Sequence, residues 1–230
     1  MIKSIIFNTP MVSAILDGRK TMTRRVIKPQ PKRRLVHMRA GNRRHADKWG
    51  YLEYECGLTN ADRNTFWTPP CHAEDVLWVR ETWGTRSRTE GIASALYYCA
   101  DGDAPAGIKW RPSIHMPRYA ARIFLRVTKV SVERLQEISG EDIAREGVGK
   151  GEFFNTVGNV KFRDTLSDRA AFRELWDSLS KPFNVYKFGW DANPFVWVIS
   201  FERCEKPKRG NAWDTASGTL PALVPTPNGR

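Results

Sequence analysis

Residues 3–27 read KSIIFNTPMVSAILDGRKTMTRRVI, and this stretch predicts a strand, a helix and a second strand in immediate succession. Its first five residues have the apolar content of a short strand. Thr9 then caps a helix, with Pro10 at the first helical position and Gly18 as its end. The last seven residues alternate as a second strand would.

Further strands follow, and few of them alternate with helices. Alternating apolar and polar residues predict strands at 74–83, 96–99, 121–135 and 195–204. A short helix is predicted over 139–146 and a longer one from Ser167, whereas the three prolines of 103–119 indicate a loop. We therefore predict an α+β fold, mainly β, in which a small barrel or curved sheet carries helices at its ends.

The chain of 230 residues is expected to form one large domain over residues 1–205. Residues 28–74 are polar, basic and rich in turn-forming residues, which indicates a long insertion with a possible hairpin around 49–54. Residues 206–230 are polar and rich in proline and glycine, which predicts a disordered tail.

The composition excludes several classes of protein. Hydrophobic residues make up 41% and charged residues 27%, and no run approaches the ~18 apolar residues of a membrane span. The N-terminus lacks the cleavage site of a secretory signal. Four scattered cysteines indicate reduced thiols, so we expect a cytoplasmic protein without a membrane partner.

The net charge of +12 is concentrated in one segment. Residues 19–48 contain twelve Lys or Arg and a single acid, Asp47, so this segment carries +11 and the other 200 residues about +1. Such a block is typical of proteins that contact nucleic-acid phosphates. A solvated basic loop that binds nothing is the alternative.

Residues 18–25, GRKTMTRR, form the first candidate site. The neighbouring arginines should lower the pKa of Lys20, and a neutral lysine beside a threonine hydroxyl is a plausible pair of base and nucleophile. On composition alone, a run of phosphate-contacting cations with ordinary strand threonines is the better-supported interpretation.

Two carboxylates are further candidates. Glu81 stands between Arg80 and Trp83 on a strand, and a structural ion pair is its favoured role. Glu146 ends the short helix just before Gly147, where a carboxylate opposes the helix dipole. A site role and an exposed surface position are both open for Glu146.

Nine tryptophans are an unusual number, and three of them, Trp110, Trp190 and Trp197, stand in or beside loops rich in Arg, Asn and Pro. Aromatic rings beside basic loops can stack unpaired bases, although most are expected to be core or loop anchors.

No cofactor or metal is expected, because nucleotide-binding glycine loops and paired-cysteine or HExxH motifs are absent. A zinc site in the insertion, which holds His37, His45, Cys56, Cys71 and His72, is the weak alternative.

The sequence resembles the ASCH domain family. Its GRKTMTRR segment is similar to the family signature, and the resemblance continues in EDVL at 74–77, ISGEDIARE at 138–146 and the strand at 195–201. The whole chain resembles the larger ASCH-type proteins of phages and prophages through VRETW at 79–83, PSIHMPR at 112–118, ARIFLRV at 121–127 and GWDANP at 189–194.

This resemblance implies a PUA-like β-barrel with flanking helices that binds RNA or modified nucleosides in a cleft beside the signature. One branch of the family hydrolyses acetylcytidine, and its catalytic residues fall at Lys20 as base, Thr23 as nucleophile and Glu146 as proton-transfer or orienting group. Other branches are ribonucleases. We expect ligand contacts from the remaining candidates: Arg19, Arg24, Arg25, Arg80, Glu81 and Trp83.

Three functions remain open. The first is an RNA- or nucleotide-binding protein with a cationic cleft near Lys20, and the second is an amidohydrolase acting on an acylated nucleoside. The third is a non-enzymatic phage assembly or host-interaction factor, for which the location would be the host cytoplasm. The chain is more than twice as long as the small enzymes, and the insertion could cover the cleft. The oligomeric state is open.

Overall fold

The computed structural model describes residues 1–37, 49–50, 66–86, 95–148, 168–179 and 184–207. These residues form an α+β structure with more strand than helix, which confirms the predicted class. The strands are β1 (Ile2–Ile6), β2 (Met22–Val26), β3 (Val36–His37), β4 (Trp49–Gly50), β5 (Val76–Arg80), β6 (Trp83–Arg86), β7 (Leu96–Tyr98), β8 (Ile108–Arg111), β9 (Phe124–Arg134) and β10 (Phe195–Cys204). The helices are α1 (Thr9–Leu16), α2 (Gly140–Arg145), α3 (Asp168–Leu179) and α4 (Val185–Phe188).

The main sheet has the strand order β1-β5-β9-β10-β2, in which only the β1–β5 pair is parallel. Strand β10 separates two apolar cores. Trp197 and Ile199 pack with Phe7 in the first core, whereas Val196 and Val198 pack in a second core with side chains of α2 and α3. A strand buried on both faces is apolar throughout, as the FVWVIS run of β10 is.

Strands β1 and β2 are the two edges of this sheet, and no backbone ladder joins them within the described ranges. A side chain bridges them instead, because Arg25 Nη2 donates a hydrogen bond to the carbonyl oxygen of Ile6 at 2.8 Å. The sheet is therefore open at the backbone level.

The ends of α1 and α2 set the positions of the candidate residues. The cap of α1 is Asn8 rather than Thr9, because the Asn8 side chain accepts the Met11 N–H at 3.0 Å. The hydroxyl of Ser139 caps α2. Gly147 follows α2 with φ +85°, and a Cβ there would lie 3.0 Å from the Cβ atoms of Ala14 and Lys20. The turn after α2 is thus pressed against α1.

A second, three-stranded sheet has the order β7-β6-β8. The strand predicted over 74–83 is in fact two, since β5 and β6 belong to different sheets. The loop predicted over 103–119 was wrong at Ile108–Arg111, because the prolines flank β8 and do not interrupt it.

In the insertion, Trp49–Gly50 pairs with Val36–His37, and the rest of the predicted hairpin lies outside the described residues, as does the tail from residue 208. Within the described ranges, no helix has both the length and the apolar character that crossing a bilayer requires.

Candidate functional site

Lys20 lies in the turn between α1 and β2, and its side chain is fully buried, with 0% exposure. Its Nζ donates one hydrogen bond to Glu146 Oε2 at 2.7 Å and another to the Glu146 carbonyl oxygen at 2.8 Å. Burial lowers the pKa of Lys20, and the Glu146 carboxylate opposes that shift. The first strand–helix–strand unit therefore aims its amine at the end of α2.

Arg24 shares the same carboxylate from the other side. Its buried guanidinium donates from Nη1 to Glu146 Oε1 at 3.3 Å, from Nε to Glu133 Oε1 at 2.9 Å and from Nη2 to Asp142 Oδ2 at 2.9 Å. Burial acts against the Arg24 charge, but Glu146 and Glu133 outweigh it and raise its pKa. We name these five residues, Lys20, Arg24, Glu133, Asp142 and Glu146, the buried ion cluster.

The charges of the buried ion cluster are paired within the protein. It holds two cations and three carboxylates, and neither cation is accessible to solvent. Lys20 and Arg24 are therefore not placed to receive a phosphate in this geometry. Glu146 is only 6% exposed, so the alternative of an exposed surface glutamate is wrong.

A cleft of about 400 Å³ lies beside this cluster, between α1, the turn after α2, and α3. We name it the α1 cleft. Met11, Val148 and Leu175 contribute apolar wall, and Glu146 lines it from the turn. Arg19 lies at its rim with a side chain 45% exposed, although Nη2 also contacts Asp17 Oδ2 at 2.9 Å. The α1 cleft thus combines apolar walls, the buried carboxylate of Glu146 and a half-exposed ion pair of Arg19 with Asp17.

Thr23 is not brought to the α1 cleft. Adjacent residues of a strand point to opposite faces, so Thr23 lies on the face of β2 opposite Arg24. It pairs with Ile199 of β10 and is 3% exposed. None of the hydrogen bonds among the described residues joins its hydroxyl to Lys20 or Glu146. The structure therefore assembles two of the three predicted catalytic residues.

Arg25 shares the face of Thr23. Its guanidinium lies 5.3 Å from the centre of the Phe7 ring, and burial lowers its pKa. Arg25 lines a second cavity of about 590 Å³ between the edge strands, together with Lys3 and Lys28. Its charge still acts on the buried ion cluster, because Arg25 lowers the pKa of Lys20 and Glu146 opposes the effect of burial on the pKa of Arg25.

Arg80, Glu81 and Trp83 belong to the junction of the two sheets. Glu81 is 1% exposed and accepts two hydrogen bonds of 3.0 Å from Arg122. The predicted ion pair is therefore present, but its partner is Arg122 and not the adjacent Arg80. Burial raises the pKa of Glu81, against the effect of Arg122. Arg80 instead donates to the Ile114 carbonyl oxygen, and Trp83 is buried. No hydrogen bond or ion pair among the described residues links these three to Lys20.

Sequence reasoning missed two members of the cluster, Glu133 and Asp142. Asp142 and Glu146 are four residues apart, so they share one face of α2, and this spacing was a usable signal. Glu133 comes from β9, and its approach to Arg24 depends on the order of three strands. No sequence pattern shows that order.

No group of three His, Cys, Asp or Glu side chains in the part of the chain that the structure describes could hold a metal ion. The insertion residues His45 and Cys56 lie outside that part. Comparison of the chain with family models, curated proteins and solved structures finds no match. The function is therefore argued from the geometry of the site.

Proposed function

We propose that this chain is an RNA-binding protein of the ASCH type, and that the α1 cleft receives a nucleobase. The main sheet would then be a PUA-like barrel whose seam lies between β1 and β2. One observation carries the proposal: Glu146 lines the α1 cleft while Lys20 and Arg24 hold its carboxylate from two sides. The resemblance of GRKTMTRR to the ASCH signature supports it.

The chemistry of the α1 cleft suits a base. A carboxylate accepts hydrogen bonds, and the amino and imino groups of bases donate them. Apolar walls from Met11, Val148 and Leu175 contact the base surface. Arg19 at the rim, which is half-exposed, would contact a phosphate in place of Asp17.

Anisotropy of a labelled single-stranded RNA, measured over a series of salt concentrations, tests this proposal. We expect Arg19→Gln to weaken binding for all RNA sequences alike and to reduce the slope of log K against log salt by about one. Arg173→Gln is the matched control, because Arg173 on α3 is an arginine of similar exposure that also pairs with an aspartate, Asp191. Ser13→Phe should reduce affinity by filling the α1 cleft. Equal effects of Arg19→Gln and Arg173→Gln would contradict the assignment.

A second candidate, the amidohydrolase, is favoured by the 2.7 Å contact of Lys20 and Glu146 and by the lowered pKa of Lys20. In this mechanism the Thr23 hydroxyl attacks the acetyl carbonyl and Lys20 takes its proton. Lys20 returns this proton to the cytidine amine as it leaves, and a water then hydrolyses the acetyl ester on Thr23, which releases acetate and restores the hydroxyl. The substrate must bring the hydroxyl and Nζ to about 2.6–3.2 Å.

Acetylcytidine turnover, read by mass spectrometry, separates the two functions. Thr23→Val should abolish turnover and Thr23→Ser should restore it, since serine keeps the hydroxyl. The same incubations with RNA would reveal cleavage by a ribonuclease. Absence of both turnover and RNA binding would leave the assembly or host-interaction function.

A further inference from the structure

A second block of the chain is basic and free of acids. Residues 104–132 contain six Lys or Arg and no Asp or Glu. Acidic residues elsewhere cancel this positive charge in the sum over the residues outside 19–48. Strand β8 lies in this block. The three strands of the smaller sheet contain no acidic residue, and they carry four aromatic and three basic ones: Trp83, Tyr97, Tyr98 and Trp110, with Arg86, Lys109 and Arg111.

One face of this sheet holds two aromatic rings on either side of a glycine. Tyr97 and Trp110 both pair with Gly84, so they share a face and lie two strand spacings apart, roughly 10 Å. Gly84 places no side chain between them, and the Ile108 Cγ2 methyl fills the position of its missing Cβ. We name this surface, formed by Arg86, Tyr97, Ile108 and Trp110, the Trp110 face.

The Trp110 ring is available for contact. Trp110 is 41% exposed, whereas Trp190 and Trp197 are buried in the cores. An exposed aromatic ring offers a flat apolar surface on which a ligand ring can stack. Of the three tryptophans that the sequence places near basic loops, this is the one that can meet a ligand.

Three exposed cations lie on the strands that carry or neighbour that ring. Lys109 and Arg111 flank Trp110 on β8, and both are exposed, as is Arg86 across the sheet. The Arg111 guanidinium lies 5.1 Å from the centre of the Trp83 ring, which holds it at the strand. None of the ion pairs among the described residues uses these three cations. Because side chains alternate along a strand, Arg86 lies on the Trp110 face, whereas Lys109 and Arg111 point to the opposite face of the same edge strand.

We propose that the Trp110 face is a second contact surface for single-stranded RNA, on which bases stack against Trp110 and Tyr97. A phosphate beside the stacked bases contacts Arg86 on the same face, and Lys109 and Arg111 on the other face of the edge strand β8 add to the local positive potential. Unpaired bases have free faces for stacking, whereas the bases of a duplex are already stacked inside it. This inference rests on the proposed RNA binding and adds a surface that the α1 cleft does not include.

Ultraviolet crosslinking of the full chain to a labelled oligouridine, followed by mass spectrometry of the peptides, tests the placement directly. We expect crosslinked peptides that contain Trp110 or Tyr97. Trp110→Ala should weaken binding about five-fold or more, the loss that corresponds to about 1 kcal/mol for one stacked base. Trp110→Phe should retain most of the affinity because it keeps a stacking ring.

Tyr186→Ala is the matched control, since Tyr186 is an aromatic residue 71% exposed on α4. It should leave the affinity unchanged. The melting temperature of Trp110→Ala should match that of wild type, since the side chain is exposed. A loss of RNA binding in this variant is then not caused by unfolding.

The outcomes separate the two proposals. Unchanged affinity in Trp110→Ala, with crosslinks elsewhere, overturns the second surface and leaves the α1 cleft intact. Tighter binding of duplex RNA than of the single strand also overturns it. If single-stranded DNA binds as tightly as single-stranded RNA, the stacking surface is supported and its selectivity for RNA is overturned. Failure of the wild type to bind any single strand overturns both proposals.

Discussion

Replacement of Glu146 by glutamine tests the buried ion cluster most directly. The carboxylate is the nearest compensation for the Lys20 ammonium, which has no exposed surface, and it also accepts from Arg24. The glutamine amide has one acceptor oxygen and one donor nitrogen. Its nitrogen would therefore face a donor group of Lys20 or Arg24, and no hydrogen bond could form there. Removal of one partner from a buried ion pair costs about 3–5 kcal/mol, and we expect a loss of free energy of unfolding in that range.

The pH dependence of this loss has a defined sign. Without Glu146, burial and the charges of Arg25 and Arg24 all lower the pKa of Lys20, so its value in the folded state falls further below the unfolded value of 10.5. Between these two values the unfolded chain binds more protons, so stability rises with pH. The penalty of Glu146→Gln should therefore shrink as the solution becomes alkaline.

Urea unfolding of wild type, Glu146→Gln, Lys20→Met and the double variant measures these quantities. Neutralising both partners should cost less than the sum of the single losses, by up to about 3 kcal/mol. Glu141→Gln is the matched control, because Glu141 is exposed on the same helix. A loss below about 1 kcal/mol in Glu146→Gln, or strictly additive single effects, would refute the reasoning.

Two further predictions concern stability. Asp75 accepts hydrogen bonds from the α-amino group of Met1 and the His72 N–H, and these contacts outweigh its burial and lower its pKa below 3.8. The ionised Asp75 therefore stabilises the folded state above pH 3.8, and this stabilisation is lost as the pH falls through the pKa of Asp75 in the folded state. The difference in free energy of unfolding between wild type and Asp75→Asn should close in acid, whereas the control Glu74→Gln should show no such change. A difference that stays constant with pH in urea titrations would argue against this. Gly84→Ala should cost about 1–3 kcal/mol, because its Cβ would lie 2.5 Å from Ile108 Cγ2 and 2.9 Å from the Lys109 carbonyl oxygen. Gly140→Ala, with open space around its Cβ, should be neutral or stabilising in the same thermal melts, and equal losses would contradict the close approach of β6 and β8.

Local patterns predicted most of the elements, because alternation and caps act over a few residues. The long strand β9, the C-terminal end of α1 and the Ser139 cap of α2 follow from such patterns, whereas the cap of α1 was predicted one residue too late. Strand β8 was missed because three prolines were taken to exclude regular structure, whereas strand pairing needs only the residues between them.

The candidate site was harder to predict, because its members are distant in sequence. Arg24 and its partners Glu133 and Asp142 are separated by more than a hundred residues. The sequence shows Arg24 as one cation in a basic run, and only the fold reveals that carboxylates neutralise it. The basic character of the Trp110 face was overlooked for another reason. The net charge was summed over all residues outside 19–48, and acidic residues elsewhere in that sum cancel the positive charge of 104–132.

The position of β10 in the main sheet has a consequence for biosynthesis. Within the described residues, β2 pairs with β10 alone, so a strand made among the first thirty residues finds its sheet neighbour only after residue 195. Since ribosomes deliver the N-terminal part first, β2 must leave the exit tunnel long before its neighbour exists. A message truncated ahead of β10 would yield a chain whose two apolar layers stay uncovered, a natural substrate for chaperones and proteases.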